Sequence, residues 1–348
     1  MNPTTVAVDL AKSVFQISIA DDKGHILKRQ RFTRRQFERF LEEIPPYHFV
    51  LEACGTAHHW GRLLLSLGHT VVLLPPQYVR PFVRRTKTDQ RDADALVQAA
   101  LSGEIPPVAV KSCDQQQMVA LHRVRAGYMK TRTARINLLR GLLAEQGVAI
   151  AIGARIGLAQ IARLIHDDET ELPGLFRECA QGVLEEISGL EKRVAAIEAQ
   201  LRTLAKEDVA QELQTIPGIG LLTSTALVGS VARIDGFPSG RHFASWLGLT
   251  PREHSSGGKQ RLGRITKRGD TYLRCLLTHG ARAVLLSAKR QHQAGKPLPH
   301  LQAWAVQVEA NRGHNKATIA VANKLARIVW AVWSTRRPYE SEPARQAA

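Results

Sequence analysis

The chain has 348 residues, of which 44% are hydrophobic, so it is long enough for two domains or more and apolar enough to fold. Its net charge of +17, from 48 Lys and Arg against 31 Asp and Glu, favours a polyanionic partner, with nucleic acid first and an anionic membrane surface second. The apolar runs and the N-terminal residues exclude a membrane span and a signal peptide, and the cysteine spacing excludes a zinc motif and a disulfide framework. The sequence therefore predicts a cytoplasmic protein with reduced thiols.

Residues 1–110 alternate strand and helix patterns. Three successive β-branched runs, TTVAVDL, VFQISIAD and ILKRQRF, predict a meander, and a helix, a strand, a helix and a strand follow. Two more helical stretches lie around Tyr78–Arg85 and Arg91–Leu101. This order predicts an α/β domain in which helices pack on a mixed sheet.

Residues 111–210 are predicted to form long helices. The first helix, over 112–145, carries a surplus of cations, which favours contact with phosphates over a merely solvated face. Arg123, Lys130 and Arg135 are the residues of this helix that we expect to bind nucleic acid. Residues 183–204 then repeat apolar positions at the 4-3 spacing of a coiled coil. The seven seam residues are Val183, Ile187, Leu190, Val194, Ile197, Leu201 and Leu204. The seam is short enough to pack inside one chain, but we expect an oligomer contact.

Residues 211–335 are predicted to be an all-α domain, followed by a disordered tail over 336–348. A Pro-Gly-Ile-Gly turn in TIPGIGLLTSTAL opens a helix. Such a turn brings backbone N–H groups close to a phosphate, as in helix-hairpin-helix DNA binders, but tight packing of helices explains it equally well.

Four acids of the first domain form a candidate metal site. Asp9 and Glu52 sit in apolar strands, and Asp89 and Asp92 share one helix face, whereas Asp94 is expected to be a solvated or capping acid. Carboxylate oxygens suit Mg²⁺. Salt bridges with neighbouring arginines are the alternative. His58 and His59 are more simply explained as surface or core-edge imidazoles than as ligands.

The stretch HSSGGKQRLGRITKRGD, residues 254–270, combines two serines, two glycines and a run of cations. It is either a basic RNA-binding loop or a nucleophile on a glycine hinge followed by a phosphate clamp. The predicted clamp residues are Lys259, Arg261, Arg264, Lys267 and Arg268.

Five motifs in this order resemble the DEDD transposases of bacterial insertion sequences, the IS110 family, and most of all its IS1111 branch. They are VAVDLAKSVFQ, LEACGTAHHWGRLL, KTDQRDADAL, TIPGIGLLTSTAL and GLTPREHSSGGKQRLGRITKRGDTYLR. The resemblance covers about residues 4–290. It implies a RuvC-like domain of the RNase H fold, a coiled coil and a C-terminal transposase domain.

The resemblance also implies the site and its partners. Asp9, Glu52, Asp89 and Asp92 would hold Mg²⁺ or Mn²⁺, and Ser256, beside the glycine pair, would be the nucleophile, although Ser255 precedes it. The serine would form a phosphoserine link to one DNA end. A noncoding guide RNA would pair with target and donor DNA, and the protein would act as a homo-oligomer, a dimer of dimers, assembling the site from both domains.

Two other functions fit the same residues. A metal-dependent junction nuclease would use the acids with water as the nucleophile, giving hydrolysed ends and no protein–DNA adduct. A non-enzymatic nucleic-acid-binding protein would keep its binding after loss of Asp9 or Glu52 and would break no DNA.

Overall fold

The computed structural model describes residues 5–83, 89–167, 169–206 and 208–341, and the side chains of Asp89, Gln90 and Asp208 lie outside this description. The chain forms two compact units. The N-terminal unit comprises residues 1–116 and 231–236, and the C-terminal unit comprises residues 117–230 and 237–348. The helices predicted at 111–210 and the domain predicted at 211–335 thus belong largely to one unit. In the described part of the chain, no helix is long and apolar enough to cross a membrane.

A five-stranded mixed sheet is the centre of the N-terminal unit. Its strands are β1 (Thr5–Leu10), β2 (Val14–Ala20), β3 (Ile26–Thr33), β4 (His48–Glu52) and β5 (Thr70–Leu74). They lie in the order β3-β2-β1-β4-β5, with β1, β2 and β3 antiparallel and β1, β4 and β5 parallel. The predicted meander and mixed α/β architecture are confirmed.

Helices cover both faces of this sheet. They are α1 (Arg34–Glu43), α2 (Ala57–Ser66), the short α3 (Pro76–Val79) with a 3-10 turn (Arg80–Phe82), and α4 (Asp89–Leu101). Phe37 of α1 and Trp60 of α2 pack on one face with Phe15 and Phe49. Leu96 of α4 packs on the opposite face with neighbours that include Ala7 and Val50. The central strands β1 and β4 are therefore buried on both faces, which explains their nearly continuous apolar runs, whereas the edge strand β3 is mostly exposed.

The C-terminal unit is mainly helical. Its helices are α5 (Cys113–Glu145, whose first residues belong to the other unit), α6 (Ala154–His166), α7 (Gly174–Leu204), α8 (Asp208–Gln214), α9 (Leu221–Ser230), α10 (Gly240–Trp246), α11 (Thr271–Gln293), α12 (His300–Arg312) and α13 (His314–Thr335). Asp270 caps α11 by accepting hydrogen bonds from the backbone N–H groups of Tyr272 and Leu273.

The all-α prediction for this region is wrong at one place. Residues 251–265 form an antiparallel hairpin of β6 (Pro251–Glu253) and β7 (Leu262–Ile265). The strands are short and mostly exposed, so they lack the apolar alternation that reveals a strand in a sequence.

The expectation that the seam of α7 forms an oligomer contact is also wrong. Ile187, Leu190, Val194, Ile197 and Leu201 are at most 9% exposed in the single chain. Ile187 belongs to a cluster that includes Ile136, Leu139 and Leu143 of α5. The central part of the apolar repeat is thus buried inside the chain, which is the alternative given for the seam above.

Candidate active site

Asp9 and Glu52 lie at the carboxyl ends of two adjacent parallel strands. Val8 of β1 is paired with Leu51 of β4, and the two acids come next on their strands. Two residues earlier, Ala7 and Val50 pack in the core beneath α4. Because side chains alternate along a strand, Asp9 and Glu52 are directed to that same face. Both are partly buried.

Helix α4 lies along this face, with its N-terminal end nearer the two acids. Near its C-terminal end, Gln98 donates a hydrogen bond to the carbonyl of Gly24, in the turn next to the start of β1. The N-terminal end of α4 therefore points to the opposite edge, where β1 and β4 end. Asp92 is four residues before Leu96, a side chain buried against the sheet, so it lies on the sheet-facing side of the helix.

The donor chemistry of these acids fits a hard divalent cation. Asp9, Glu52 and Asp92 would offer only carboxylate oxygens, as Mg²⁺ and Mn²⁺ prefer. Within the described residues, no three His, Cys, Asp or Glu side chains are grouped closely enough to hold a metal ion. The side chain of Asp89, one helical turn before Asp92, lies outside that description. The metal-binding role of the four acids stays a prediction.

Asp94 is neither a solvated nor a capping acid, and this part of the sequence analysis is wrong. Its Oδ1 accepts a hydrogen bond of 2.7 Å from the hydroxyl of Ser18. Its Oδ2 is 2.9 Å from a guanidinium nitrogen of Arg29, in an ion pair that raises the pKa of the arginine. Asp94 therefore ties α4 to β2 and β3, a long-range pairing that spacing within the helix could not reveal.

His58 is a core-edge imidazole, as expected. Its Nδ1 accepts a hydrogen bond of 3.2 Å from the backbone N–H of Lys111. Burial, with added repulsion from Lys111 and Arg62, lowers its pKa to about 4. His58 is therefore neutral at pH 7. The neighbouring His59 lies 3.4 Å from a guanidinium nitrogen of Arg34, on the outer side of α2.

Ser256 is at the tip of the β6–β7 hairpin. The backbone N–H of Lys259 donates to the carbonyl of Ser256, which closes a four-residue turn. Its two central residues, Gly257 and Gly258, have φ angles of 56° and 72°. Positive φ at both central positions is the type I′ pattern, which strongly favours glycine. The glycine pair thus serves to present an exposed serine at the end of a hairpin.

The two serines differ in what their hydroxyls contact. The Ser255 hydroxyl donates to Oε1 of Glu253 at 2.6 Å and accepts from the backbone N–H of Arg261 at 3.0 Å. The bond from Arg261 links the two sides of the hairpin. Among the described residues, no hydrogen-bond partner is found for the hydroxyl of Ser256, which is exposed. Only Ser256 therefore presents a hydroxyl that no neighbour occupies.

The predicted phosphate clamp extends from this tip along β7 to the base of the hairpin. Lys259, Arg261, Arg264, Lys267 and Arg268 all have exposed side chains. Lys267 adopts a left-handed φ of 57°, and the backbone that follows is pressed against the end of α10. A Cβ on Gly269 would come within 2.1 Å of the carbonyl oxygen of Trp246. Lys267 and Arg268 are thus attached to a firmly packed base, and the phosphate contacts of all five cations stay a prediction.

Most of the basic residues on α5 have partners within the chain. Arg125, Arg132 and Arg135 form ion pairs with Glu198, Glu191 and Glu186 of α7. These ion pairs offer another role for three of the cations, and phosphate contact along this helix stays a prediction. In the predicted set, Arg135 is engaged with Glu186, while Arg123 and Lys130 are exposed.

The Pro-Gly-Ile-Gly turn is a place of close packing. Gly218 has a φ of 85°, and a Cβ there would come within 2.6 Å of the carbonyl oxygen of Gly280 in α11. Gly280 is equally restricted, because its own Cβ would lie 2.1 Å from the carbonyl oxygen of Gly218. These two contacts support the packing explanation of the turn over phosphate binding.

A buried polar network beside these elements has no signal in the sequence. His122 of α5 is only 3% exposed, and its two ring nitrogens lie 3.0 Å from the Tyr272 hydroxyl and 2.9 Å from the Thr225 hydroxyl. Burial, with repulsion from Arg125, lowers the pKa of His122 to about 4. The three residues are far apart in sequence, so no local motif could have brought them together.

Known proteins match both regions that carry the candidate site residues. A model for DEDD transposases, described as "Transposase", matches residues 6–147. A second model, described as "Transposase IS116/IS110/IS902 family", matches residues 210–295. The matches include the two strands and the helix that carry the four acids and the hairpin with the two serines. Together with the mixed sheet and the helical unit, they define a DNA transposase, which is an enzyme.

Whole-chain relatives agree with these matches. A "Probable family 20 transposase" of Pseudomonas aeruginosa is 40% identical over 97% of this chain and 99% of its own. The "Transposase for insertion sequence element IS1328" of Yersinia enterocolitica is 37% identical over 95% and 97%. The "Transposase for insertion sequence element IS1111A" of Coxiella burnetii is 35% identical over 96% and 90%. The chain belongs to the IS110 family of insertion-sequence transposases, and the suspected resemblance is confirmed.

Proposed function

We propose that this transposase cuts and exchanges DNA strands through a phosphoserine intermediate on Ser256. The observation that carries the proposal is the contrast between the two serines: the hydroxyl of Ser255 is engaged within the hairpin, whereas that of Ser256 is exposed at its tip. A tip formed by two glycines has no side chain beyond the serine to keep a phosphate away.

The reaction keeps the number of phosphate ester bonds constant, because each bond that breaks is replaced by a new one. The Ser256 Oγ attacks the scissile phosphorus, the bond from phosphorus to the 3′ oxygen breaks, and the serine proton is transferred overall to that leaving oxygen. A 3′ hydroxyl of the partner strand then attacks the phosphoserine and releases Ser256 with its proton restored. Because one ester replaces another, the exchange needs no ATP. The exposed cations from Lys259 to Arg268 would hold the phosphates on either side.

The N-terminal unit is proposed to be a RuvC-like domain of the RNase H fold. Asp9, Glu52, Asp89 and Asp92 would hold the divalent cation, Mg²⁺ or Mn²⁺. When bound there, it would supply Lewis-acid polarisation of the scissile phosphate. The support is the placement of Asp9 and Glu52 on adjacent strand ends of one sheet face, with the N-terminal end of α4 directed towards them.

A noncoding guide RNA and self-association complete the proposal. In this proposal the RNA pairs with target and donor DNA, and a dimer of dimers brings four serines to the exchanging strands. The surplus of positive charge supports a second polyanion beside DNA. The buried seam of α7 is not offered as the interface, because its central residues are already covered within the chain.

The test is a covalent trap with purified protein, Mg²⁺, the RNA encoded beside the gene, and labelled DNA carrying a nick that lets the cleaved end diffuse away. We expect a protein–DNA adduct that mass spectrometry assigns to Ser256. Ser256→Ala should abolish it. Ser255→Ala is the matched control one residue away, and it should still form the adduct, with a lower yield because the hairpin loses a cross-strand link.

Other outcomes would select other functions. An adduct on Ser255 would keep the mechanism and move the nucleophile by one residue, with Glu253 as its hydrogen-bonded base. Cut DNA without an adduct would indicate a metal-dependent nuclease that uses water. Binding without any breakage, unchanged in Asp9→Asn, would leave a nucleic-acid-binding protein.

A further inference from the structure

A large cleft lies in the C-terminal unit beside the hairpin. Its volume is about 1790 Å³, and its walls come from the β6–β7 hairpin, the start of α10, Trp304 of α12 and the length of α13. Pockets for small molecules usually have about 300–1,000 Å³, so this cleft has room for a segment of a polymer. Both α12 and α13 lie outside the two regions that match family models.

The charges around the cleft have a single sign. Six of the residues that line it are basic, and none is acidic: Arg241, Arg264, Lys267, Lys316, Lys324 and Arg327. In the part of the chain that the structure describes, none of the six forms an ion pair. Burial and the neighbouring Arg327 lower the pKa of the Lys324 ammonium. Six cations gathered around one opening without a carboxylate would attract a polyanion.

The floor of the cleft is apolar and contains two indoles. The Trp330 Nε1 donates to the carbonyl of Phe237 at 3.0 Å, which fixes its ring. The Lys324 ammonium lies 4.3 Å from the ring centre of Trp304. Ile319 and Ile328 extend this surface. A duplex needs only cations along its phosphates, whereas an unpaired strand also offers base faces that stack on aromatic and apolar surfaces.

The hairpin connects the cleft to the candidate nucleophile. Gly263, Arg264 and Ile265 of β7 line the cleft, and the same hairpin carries Ser256 at its tip. A strand lying in the cleft would therefore leave it along the support that presents the serine. This continuity favours DNA, the strand that is cut, as the occupant of the cleft over an RNA that is bound but not cut.

We propose that this cleft binds the unpaired DNA segment next to the cleaved phosphate, with phosphates on the six cations and bases against the indole-lined floor. The choice of DNA rests on the proposed role of Ser256. The cleft is a binding site of its own, because two of its walls come from α12 and α13 rather than from the hairpin. Its contribution is to hold an opened strand in place.

The experiment measures binding without cleavage. Full-length Ser256→Ala protein is titrated into a fluorescein-labelled single-stranded 20-mer, and anisotropy is followed at several NaCl concentrations. In the same background, Lys324→Gln with Arg327→Gln removes two cleft cations. Lys192→Gln with Arg202→Gln removes two exposed cations of α7, outside the cleft, and is matched in net charge.

We expect Lys324→Gln with Arg327→Gln, the cleft pair, to weaken binding at least about tenfold. The slope of log K against log [NaCl] should fall by about 1.4, since each phosphate contact of a single strand adds roughly 0.7. The control pair should change affinity by less than about threefold. Trp304→Leu should weaken binding of the single strand more than that of a duplex. Should the half-buried Lys324 prove necessary for folding, Arg241→Gln with Lys316→Gln, both exposed, gives the same test.

Equal losses in the cleft and control pairs would overturn the proposal, because charge alone would then explain them. Loss of affinity for the guide RNA with DNA binding unchanged would overturn it as well and assign the cleft to RNA. The Ser256 mechanism is judged by the covalent adduct and the cleft by anisotropy. A protein that forms no adduct but depends on Lys324 and Arg327 for strand binding would reject the first proposal and keep the second.

Discussion

Asp92 and Asp94 are two residues apart in α4 but have different surroundings. Asp92 is on the sheet-facing side of the helix, at the end directed towards Asp9 and Glu52, whereas Asp94 is engaged with Ser18 and Arg29. The pair therefore offers a clean separation between a candidate metal ligand and a structural acid. Asp92→Asn and Asp94→Asn each remove one negative charge, so a difference in activity between the two variants reports the position of the carboxylate and not the loss of charge.

Asp92→Asn should abolish DNA cleavage in Mg²⁺ with little effect on folding, since an amide is a poor ligand for a hard cation. Asp94→Asn should keep cleavage and lower stability by about 1 kcal/mol, because its ion pair is partly exposed. Gel-based cleavage assays and thermal melts measure the two effects. Equal loss of cleavage in both variants would mean that the face of α4 has been misassigned.

His122 should make stability depend on pH. Its pKa is about 4 in the folded chain against an ordinary 6.5, so the unfolded chain binds the proton more readily. The contribution of neutral His122 to the free energy of unfolding is fully present above pH 6.5, and it is lost as the pH drops through 6.5 towards 4. Between pH 7 and pH 5 the loss from this residue should be about 2 kcal/mol. Urea titrations should show that His122→Gln reduces this pH dependence; an unchanged dependence in the variant would contradict the assignment.

At the scale of elements, the two glycines of the Pro-Gly-Ile-Gly turn make a matched pair. Gly218→Ala should destabilise the chain by roughly 2 kcal/mol or more, because the new methyl group meets the Gly280 carbonyl and φ is positive. Gly220→Ala, where nothing lies within 4 Å of a Cβ, should have little effect on thermal melts. If Gly218→Ala instead kept full stability and lost DNA affinity, the turn would be a phosphate site.

The buried seam of α7 leads to a second prediction for an element. Ile197→Asp places a carboxylate at a position only 7% exposed, which should cost roughly 3 kcal/mol or more. Ala196→Asp, one residue earlier and exposed, is the control. Urea unfolding should separate the two variants. Smaller oligomers of unchanged stability in Ile197→Asp, measured by light scattering, would restore the intermolecular interpretation.

Much of the N-terminal unit could be predicted because its signals are local. The β-branched run TTVAVDL predicts a strand, and the helical periodicity of RRQFERFLEEI predicts a helix. Thr33 with Gln36 forms the capping box that begins this helix, α1. The pairings of Arg29 with Asp94 and of Arg135 with Glu186 could not be predicted, since each joins residues more than fifty positions apart. The hairpin was missed because its strands depend on a turn rather than on apolar alternation.

At the scale of the whole molecule, the positive charge is concentrated near the C-terminus. Residues 241–339 contain eighteen Lys and Arg against three Asp and Glu, a surplus of fifteen in a chain whose net charge is +17. Of the six Lys and Arg residues of α5, by contrast, three form ion pairs with acids of α7. The polyanion is therefore expected to bind the segment that contains the hairpin, α12 and α13, and self-repulsion should be greatest there.

This concentration predicts that salt stabilises the free protein. Raising NaCl from 50 to 300 mM should raise the melting temperature, because screening weakens repulsion among exposed cations over distances beyond about 10 Å. A variant with Arg241, Lys316, Lys324 and Arg327 all changed to Gln should melt higher at low salt and respond less to NaCl. Single-stranded DNA should stabilise the wild type at low salt and lose that effect at high salt, since bound phosphates replace the screening ions. A melting temperature that falls with NaCl would show that attractive ion pairs, such as those joining α5 to α7, outweigh the C-terminal repulsion.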